Sequence, residues 1–341
     1  MSIEVPESPL AASMVGLLTG GWVAQAVSVA ARLKIADQLA HGPRSAADIA
    51  EAVDAHAPTL HRLLRALSDV GVVQEREDGL FSGTPLGELL RSDVPSLRGY
   101  ALLTGAPFHR AAWDALEHSV RTGEPAFPHV HGQEIFDYLR DNPSDGDVLN
   151  EAMVAMSGEF IAPVAAACEF SPGHTIVDVG GGHGAVLAEI LAANPGTRGI
   201  LYDLPEVIAK AADGPLRTAL ADDRCQMVAG SFFDSVPEGG DAYVLSHVVH
   251  DWDDDRAVQI LANCRRAMHP GSRLLLLEGF LHDGPSASRM KWLDLEMLVM
   301  TSGGRQRTQS QYEALFQRAG LRPTGPKAQS PTFTALEARP A

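Results

Sequence analysis

Two hydrophobic rhythms divide this chain. Up to about residue 165, apolar side chains recur at three- and four-residue spacing, as on one face of a helix. From residue 174 they gather into short runs that alternate with helical stretches. Residues 9–41 are rich in Ala, Leu and Val at helical spacing and end at the stop signal His41-Gly42-Pro43. Such an apolar segment packs either within its own domain or against a second chain. Helices are predicted at 45–53 and 59–71, followed by "VVQEREDGLFSGT", two short strands around the turn pair Asp78-Gly79. Helix–turn–helix plus hairpin predicts a winged helix. Residues 94–165 read as helical with aromatic and Met interruptions, and 123–139 as a loop leading into a helix.

The second rhythm predicts strands "HTIVDVG", "RGILYDL", "CQMVAG", "DAYVLSHV", "SRLLLLEGF" and "TFTALEAR". Helices are expected to begin near Ala185, Glu206, Asp255 and Thr308. Strand–helix alternation argues an α/β unit, a parallel sheet with helices on both faces.

Composition narrows the partners. The 341 residues are 45% hydrophobic and 21% charged, as in ordinary globular domains, and the net charge is −16. That acidity argues against nucleic acid, whose phosphates need Lys and Arg. The would-be recognition helix offers only His61, Arg62 and Arg65, between acidic flanks, which disfavours a DNA-binding regulator. Cys168, Cys225 and Cys264 show no zinc spacing and read as buried thiols in a reducing compartment. Glu4 and Glu7 precede the first apolar stretch, unlike a signal peptide, and no uninterrupted run of about 18 apolar residues occurs. A cytoplasmic protein without membrane contact is expected.

The chemistry lies at strand ends. "TIVDVGGGHGAVLAEIL" (175–191) is a strand, a glycine turn and a helix; Gly180, Gly182 and Gly184 let the backbone turn tightly and approach a ligand. Dinucleotide sites use such turns too. Asp203 ends the next strand, 23 residues after Gly180, where an acid accepts ribose hydroxyls. Asp178, in the strand before the turn, suits a cationic ligand better than a pyrophosphate. "SHVVHDWDDD" (246–255) leaves a further strand with two histidines, and Glu278 ends the strand after it. A His whose other ring nitrogen is held by a carboxylate is a suitable general base near neutral pH. His250 could instead be a structural histidine, and His247 either lines a pocket or packs. His247, His250 and Asp253 make at most a partial metal site, and no metal is expected. Asp253–Asp255 more simply cap the helix that follows.

"VDVGGGHG", "LYDLP", "GSFF", "LSHVVHDWDDD", "LLLLEGF" and "GGRQRT" follow one another as in the S-adenosylmethionine-dependent O-methyltransferases of the plant caffeate and bacterial antibiotic-tailoring type. The resemblance spans nearly the whole chain. It implies a Rossmann-like methyltransferase domain over 166–341, a winged-helix dimerisation domain over 1–95, and a helical linker over 96–165 that contributes to the substrate pocket. Carried over residue by residue, it implies cofactor contacts from Gly180, Gly182, Asp203, Ser231, Phe232, Ser246, Trp252 and Ser157. Ser231 stands where the family often has Asp, and Ser246 where many plant members have Lys. His250 is implied as the general base and Glu278 as its partner. A second acid usually stands at position 306; here Gln306 carries no charge, so Glu278 alone is expected to polarise His250. Trp113, Phe127, Met153, His247, Met297, Met300 and Gln306 would line an apolar pocket for a flat ring.

The implied activity is methylation of a phenolic hydroxyl of an aromatic small molecule, a bacterial secondary metabolite such as a polyketide or phenazine. The cofactor would be S-adenosylmethionine, with S-adenosylhomocysteine as product, in a homodimer joined through the N-terminal helices. The alternatives are an atypical relative that hydroxylates or decarboxylates its substrate, and the DNA-binding regulator.

Overall fold

The computed structural model describes residues 8–212, 214–282, 284–285 and 287–341; Glu4 and Glu7 lie outside them. Two compact units divide at 107/108.

In the first unit the helical repeat of residues 9–41 becomes two helices, Pro9–Arg32 and Ile35–Leu39. Lys34 separates them in a left-handed conformation (φ 54°), which no apolar spacing announces. Helices Ala46–Ala52 and Ala57–Asp69 and the antiparallel hairpin β1 (Val73–Glu75) and β2 (Phe81–Gly83) complete the winged helix. Ser45 caps the first of these helices by accepting the Asp48 N–H at 3.1 Å. Leu60, Leu64 and Leu67 on the second are buried in the unit's core with Ile49 and Phe81, the face that the spacing predicted. Arg65 is turned to Glu75 of the hairpin, 3.4 Å away. At the start of the chain the opposite holds: Leu10, Leu17 and Trp22 of the first helix are 83%, 76% and 74% exposed. That helix is also long and apolar enough, by length and composition alone, to cross a membrane, although Ser13, Thr19 and glycines interrupt its apolar residues.

The second unit is built on a seven-stranded sheet of order β5-β4-β3-β6-β7-β9-β8. β3 (Thr175–Val179), β4 (Arg198–Asp203), β5 (Cys225–Ala229), β6 (Ala242–Ser246) and β7 (Arg273–Gly279) are parallel. Strands buried on both faces read as continuous apolar runs, as "AYVLS" and "RLLLLEG" do. The sheet is mixed, however, because β9 (Phe333–Pro340) and β8 (Leu321–Gln329) add antiparallel at one side. β8 was not predicted. Its "LRPTGPKAQ" contains two prolines and a glycine, tolerated because it is an edge strand with shifts of register at Pro323/Gly325 and Pro326/Ala328.

One core lies between the sheet and helices Asp254–Ala267 and Gln309–Arg318; the other lies against Ala162–Ala166 and Ala185–Ala193. In the helical region before the sheet, 123–139 holds the short helix Ala126–His131 as well as the expected one, Ile135–Asp141. A wide π turn, Ser157–Ile161, follows the helix Pro143–Met156. Pro163 has no N–H to donate, which favours this looser winding just before it.

Candidate active site

The parallel strands all end on one side of the sheet, where open α/β sheets bind ligands. β3 turns there through Gly180, Gly182 and Gly184, all at positive φ (70°, 58° and 80°). Gly184 precedes the first turn of helix Ala185–Ala193. Asp203, ending β4, holds this turn: its Oδ2 accepts the Gly182 N–H at 2.8 Å and its Oδ1 accepts the Leu204 N–H at 2.7 Å. Each oxygen keeps a second lone pair for a ligand hydroxyl. Asp178 is fully buried beneath Gly181, and neither of its oxygens has a hydrogen-bond partner among the described residues. Burial, and then the charge of Asp203, push its pKa up to about 7.

Beyond β5, the Ser231 hydroxyl accepts the Phe233 N–H at 3.2 Å, and so braces its own turn. Phe232 lies against Gly180 and meets Phe233 at 4.9 Å between ring centroids. Trp252 is half-buried, edge-on to Phe233 at 4.7 Å, stacked on Phe136 at 5.5 Å, with the Arg256 guanidinium 5.2 Å from its centre. Ser246 ends β6 with a buried hydroxyl that has no partner among the described residues. Ser157 opens the π turn.

His250 sits in a three-residue 3-10 turn, Val249–Asp251, just past β6. Its ring is buried, with Nδ1 2.5 Å from Glu278 Oε2 at the end of β7. The other Glu278 oxygen accepts the N–H groups of Val249 at 3.1 Å and His250 at 3.3 Å. The carboxylate therefore fixes both the turn and the imidazole. The isolated-partner expectation needs correction: Asp251 Oδ1 lies 3.4 Å from His250 Nε2, so a second carboxylate faces the ring. Burial alone would lower the His250 pKa; Glu278 and Asp251 outweigh it, against Arg307, and raise it to about 9. Burial raises the pKa of Asp251 to about 6 although His250 opposes it.

His247 holds a left-handed backbone (φ 54°), and its ring packs on Phe333 and His250, each 5.0 Å between centroids. Burial first, and His250 second, hold its pKa down to about 4, so this imidazole is neutral. Gln306 is 2% exposed with neither side-chain amide atom partnered among the described residues, while its backbone N–H donates to Asp294 at 2.9 Å. Met297 and Met300 are buried on helix Met290–Met300 and Met153 is half-buried. Trp113 donates to Glu296 of that helix at 2.5 Å, and His109 meets the same carboxylate at 2.8 Å. Phe127 is fully buried against His131 and Tyr138, at 4.4 and 5.3 Å, where packing accounts for it. Asp253 does cap the helix Asp254–Ala267, accepting the Arg256 N–H at 2.8 Å, but Asp254 is spent on Arg305 and Arg307.

Sequence reasoning passed over Asp251, Glu296 and Arg307. Asp251 stood in the open, adjacent to His250. Arg307 gave no signal, because nothing in a sequence marks an arginine as fully buried.

A sheet of this order, with a glycine turn after its first strand and an acid ending its second, defines a Rossmann-like methyltransferase. An O-methyltransferase domain model matches residues 113–322 and an O-methyltransferase dimerisation domain model matches residues 15–93, so the chain belongs to the O-methyltransferase family and is an S-adenosylmethionine-dependent enzyme. It is 41% identical to the phenazine O-methyltransferase PhzM of Lysobacter antibioticus, with 97% of each chain covered. The crystal structure of LaPhzM is 40% identical with a TM-score of 0.91, covering 98% of this chain and 100% of that one. NcsB1, an O-methyltransferase from neocarzinostatin biosynthesis solved with S-adenosylhomocysteine and 1,4-dihydroxy-2-naphthoic acid, is 34% identical with a TM-score of 0.75, covering 94% and 96%.

Proposed function

We propose that this enzyme methylates a hydroxyl on an aromatic small molecule of bacterial secondary metabolism, with His250 as the proton acceptor. The observation that carries the reading is the buried His250–Glu278 pair at the ends of β6 and β7. The phenazine in one relative's name and the dihydroxynaphthoic acid bound to another support a flat, hydroxylated acceptor.

The residues present fit the cofactor. Asp203 has lone pairs to spare for ribose hydroxyls, and Asp178 offers a buried carboxylate near a cationic ligand. A Cβ on Gly180 would come within 2.9 Å of Val248 and 3.2 Å of Phe232, at a φ of +70°. Gly180, Gly182, Asp203, Ser231, Phe232, Ser246, Trp252 and Ser157 would hold the group. When bound, S-adenosylmethionine supplies an activated methyl group and leaves as S-adenosylhomocysteine. His250 Nε2 takes the proton from the acceptor hydroxyl while Glu278 steadies the other ring nitrogen, fixing the tautomer. Met297, Met300 and Met153, with Trp113, shape an apolar wall that orients the ring and excludes water. Gly180→Ala should raise the Kd for S-adenosylhomocysteine at least about tenfold, roughly 1.4 kcal/mol, by calorimetry; an unchanged Kd removes the loop from the binding site.

The test of the activity is a panel of phenols incubated with methyl-labelled cofactor and followed by mass. Gain of one labelled methyl on oxygen supports the reading. Loss of carbon dioxide or gain of an oxygen atom instead would replace it with the atypical alternative.

The exposed apolar side chains Leu10, Met14, Val15, Leu17, Leu18, Trp22 and Val23 of the first helix run into the dimerisation match that begins at residue 15. A second copy covers them in this reading. Trp22→Glu should weaken that homodimer at least about tenfold, a buried Trp being the usual anchor of an interface. Light scattering across a dilution series checks this, and an unchanged dimer would move the interface elsewhere.

A further inference from the structure

We propose that Arg307 is the positioning residue for His250: it splints the turn that carries the imidazole, so that the ring meets both Glu278 and the acceptor in one fixed orientation. The inference rests on the reading of His250 as proton acceptor. Within this 3-10 turn the Val249 carbonyl receives the Trp252 N–H at a long 3.4 Å, and the carbonyls of Val249, His250 and Trp252 are held from one side by a single segment. Arg307 Nη1 donates to Val249 O at 3.2 Å and Nη2 to Trp252 O at 2.7 Å. Between them, the Arg305 N–H donates to His250 O at 2.8 Å. The close approach needs glycine at 304, where a Cβ would stand 2.8 Å from the carbonyl oxygens of His250 and Asp251.

The splint is anchored. Asp254 Oδ1 accepts from Arg307 Nε at 2.9 Å and Nη2 at 2.8 Å, while its Oδ2 accepts from Arg305 at 2.7 Å. Asp254 opens the helix that follows the turn, so the guanidinium ties the two ends of the loop together. Arg307 itself is 0% exposed. These four bonds, two to Asp254 and one to each carbonyl, draw on a planar fork of five donors; an ammonium has three, all on one atom.

Arg307 also supplies charge. The groups facing His250 are Glu278 from β7, Asp251 from its own turn, His247 from the end of β6, and Arg307, which lies 5.9 Å from the buried Tyr312 ring. His247 is neutral, so Arg307 is the cation among these groups: it opposes the pull of Glu278 and Asp251 on His250 while its own fork is paired with Asp254. Position and charge can thus be separated by substitution: Lys keeps the charge and loses the fork, whereas Met loses both.

The experiment compares Arg307→Lys, Arg307→Met and Asp254→Asn with His250→Gln. It reads kcat/KM against pH, the Kd for S-adenosylhomocysteine, and the imidazole signal of His250 in protein labelled at the histidine ring carbon, assigned by its loss in His250→Gln. Arg307→Lys and Asp254→Asn should lower kcat about tenfold or more, with a smaller change in Kd, since Arg307 also holds the Trp252 carbonyl, and with the His250 signal displaced or broadened. Arg307→Met should in addition move the acid limb to higher pH; if it fails to fold, the other two variants decide the matter. Wild-type kcat and an unmoved His250 signal in both Arg307→Lys and Asp254→Asn would overturn the proposal, as would an equal loss of cofactor affinity. If His250→Gln itself keeps full activity, the reading beneath has failed instead.

Discussion

His250→Gln should lower methyl transfer by about 10²- to 10⁴-fold, the range by which a positioned general base speeds proton removal, with little change in cofactor affinity. Glutamine fills similar space but takes no proton at any working pH. The acceptor phenol, with a pKa of about 10, is then left to lose its proton to water. In the parent enzyme the two carboxylates beside His250 raise its pKa to about 9. The imidazole is the active form, so kcat/KM should climb with pH through neutrality and level off near that value. The variant should have lost this limb. Turnover of a phenol measured by mass from pH 6 to 10 checks both statements, and a residual profile with the parent's shape would point to another base.

Glu278→Gln should cost at least about tenfold in kcat and as much as ~10⁴-fold if the imidazole tautomer is inverted. The amide oxygen can still accept the Val249 and His250 N–H groups, so the turn keeps its shape. The amide nitrogen, facing His250 Nδ1 where a carboxylate stood at 2.5 Å, donates instead of accepting. That places the imidazole proton on Nε2, the nitrogen that must be bare to act as a base. Removing the negative charge also takes away the strongest influence raising the His250 pKa, so the acid limb moves to lower pH while the plateau falls. The direction is opposite to that expected for Arg307→Met. Histidine ring spectra report the tautomer directly, and an unchanged tautomer with unchanged turnover would reject the role of Glu278.

Much of this was legible in the amino-acid order. Parallel strands buried on both faces advertise themselves as unbroken apolar runs, and "VDVGGGHG" leads from strand to helix through glycines that the structure holds at positive φ. His250 and Glu278 could be paired because adjacent parallel strands end side by side. What stayed hidden depended on burial and on side chains meeting across long separations. Arg307 looks like a surface residue in "GGRQRT", and its buried state follows from carbonyls of a turn more than fifty residues earlier in the chain. Glu296, between His109 and Trp113, was hidden in the same way. Asp251 is a different case: it was visible, but the run of aspartates after it made helix capping a sufficient explanation. The break at Lys34 and the π turn at Ser157 are backbone choices that apolar spacing does not encode.

The proline-bearing outer strand has a consequence for how copies of this protein meet. With no N–H at Pro323 or Pro326 and its pairing twice out of step, β8 is a poor template for a further strand along its free side. That flank of the sheet disfavours edge-to-edge growth, whether ordered or aggregating. Self-association through this flank is therefore disfavoured, while the bare leucines and tryptophan of the first helix offer a route whose stoichiometry a closed helical interface can limit.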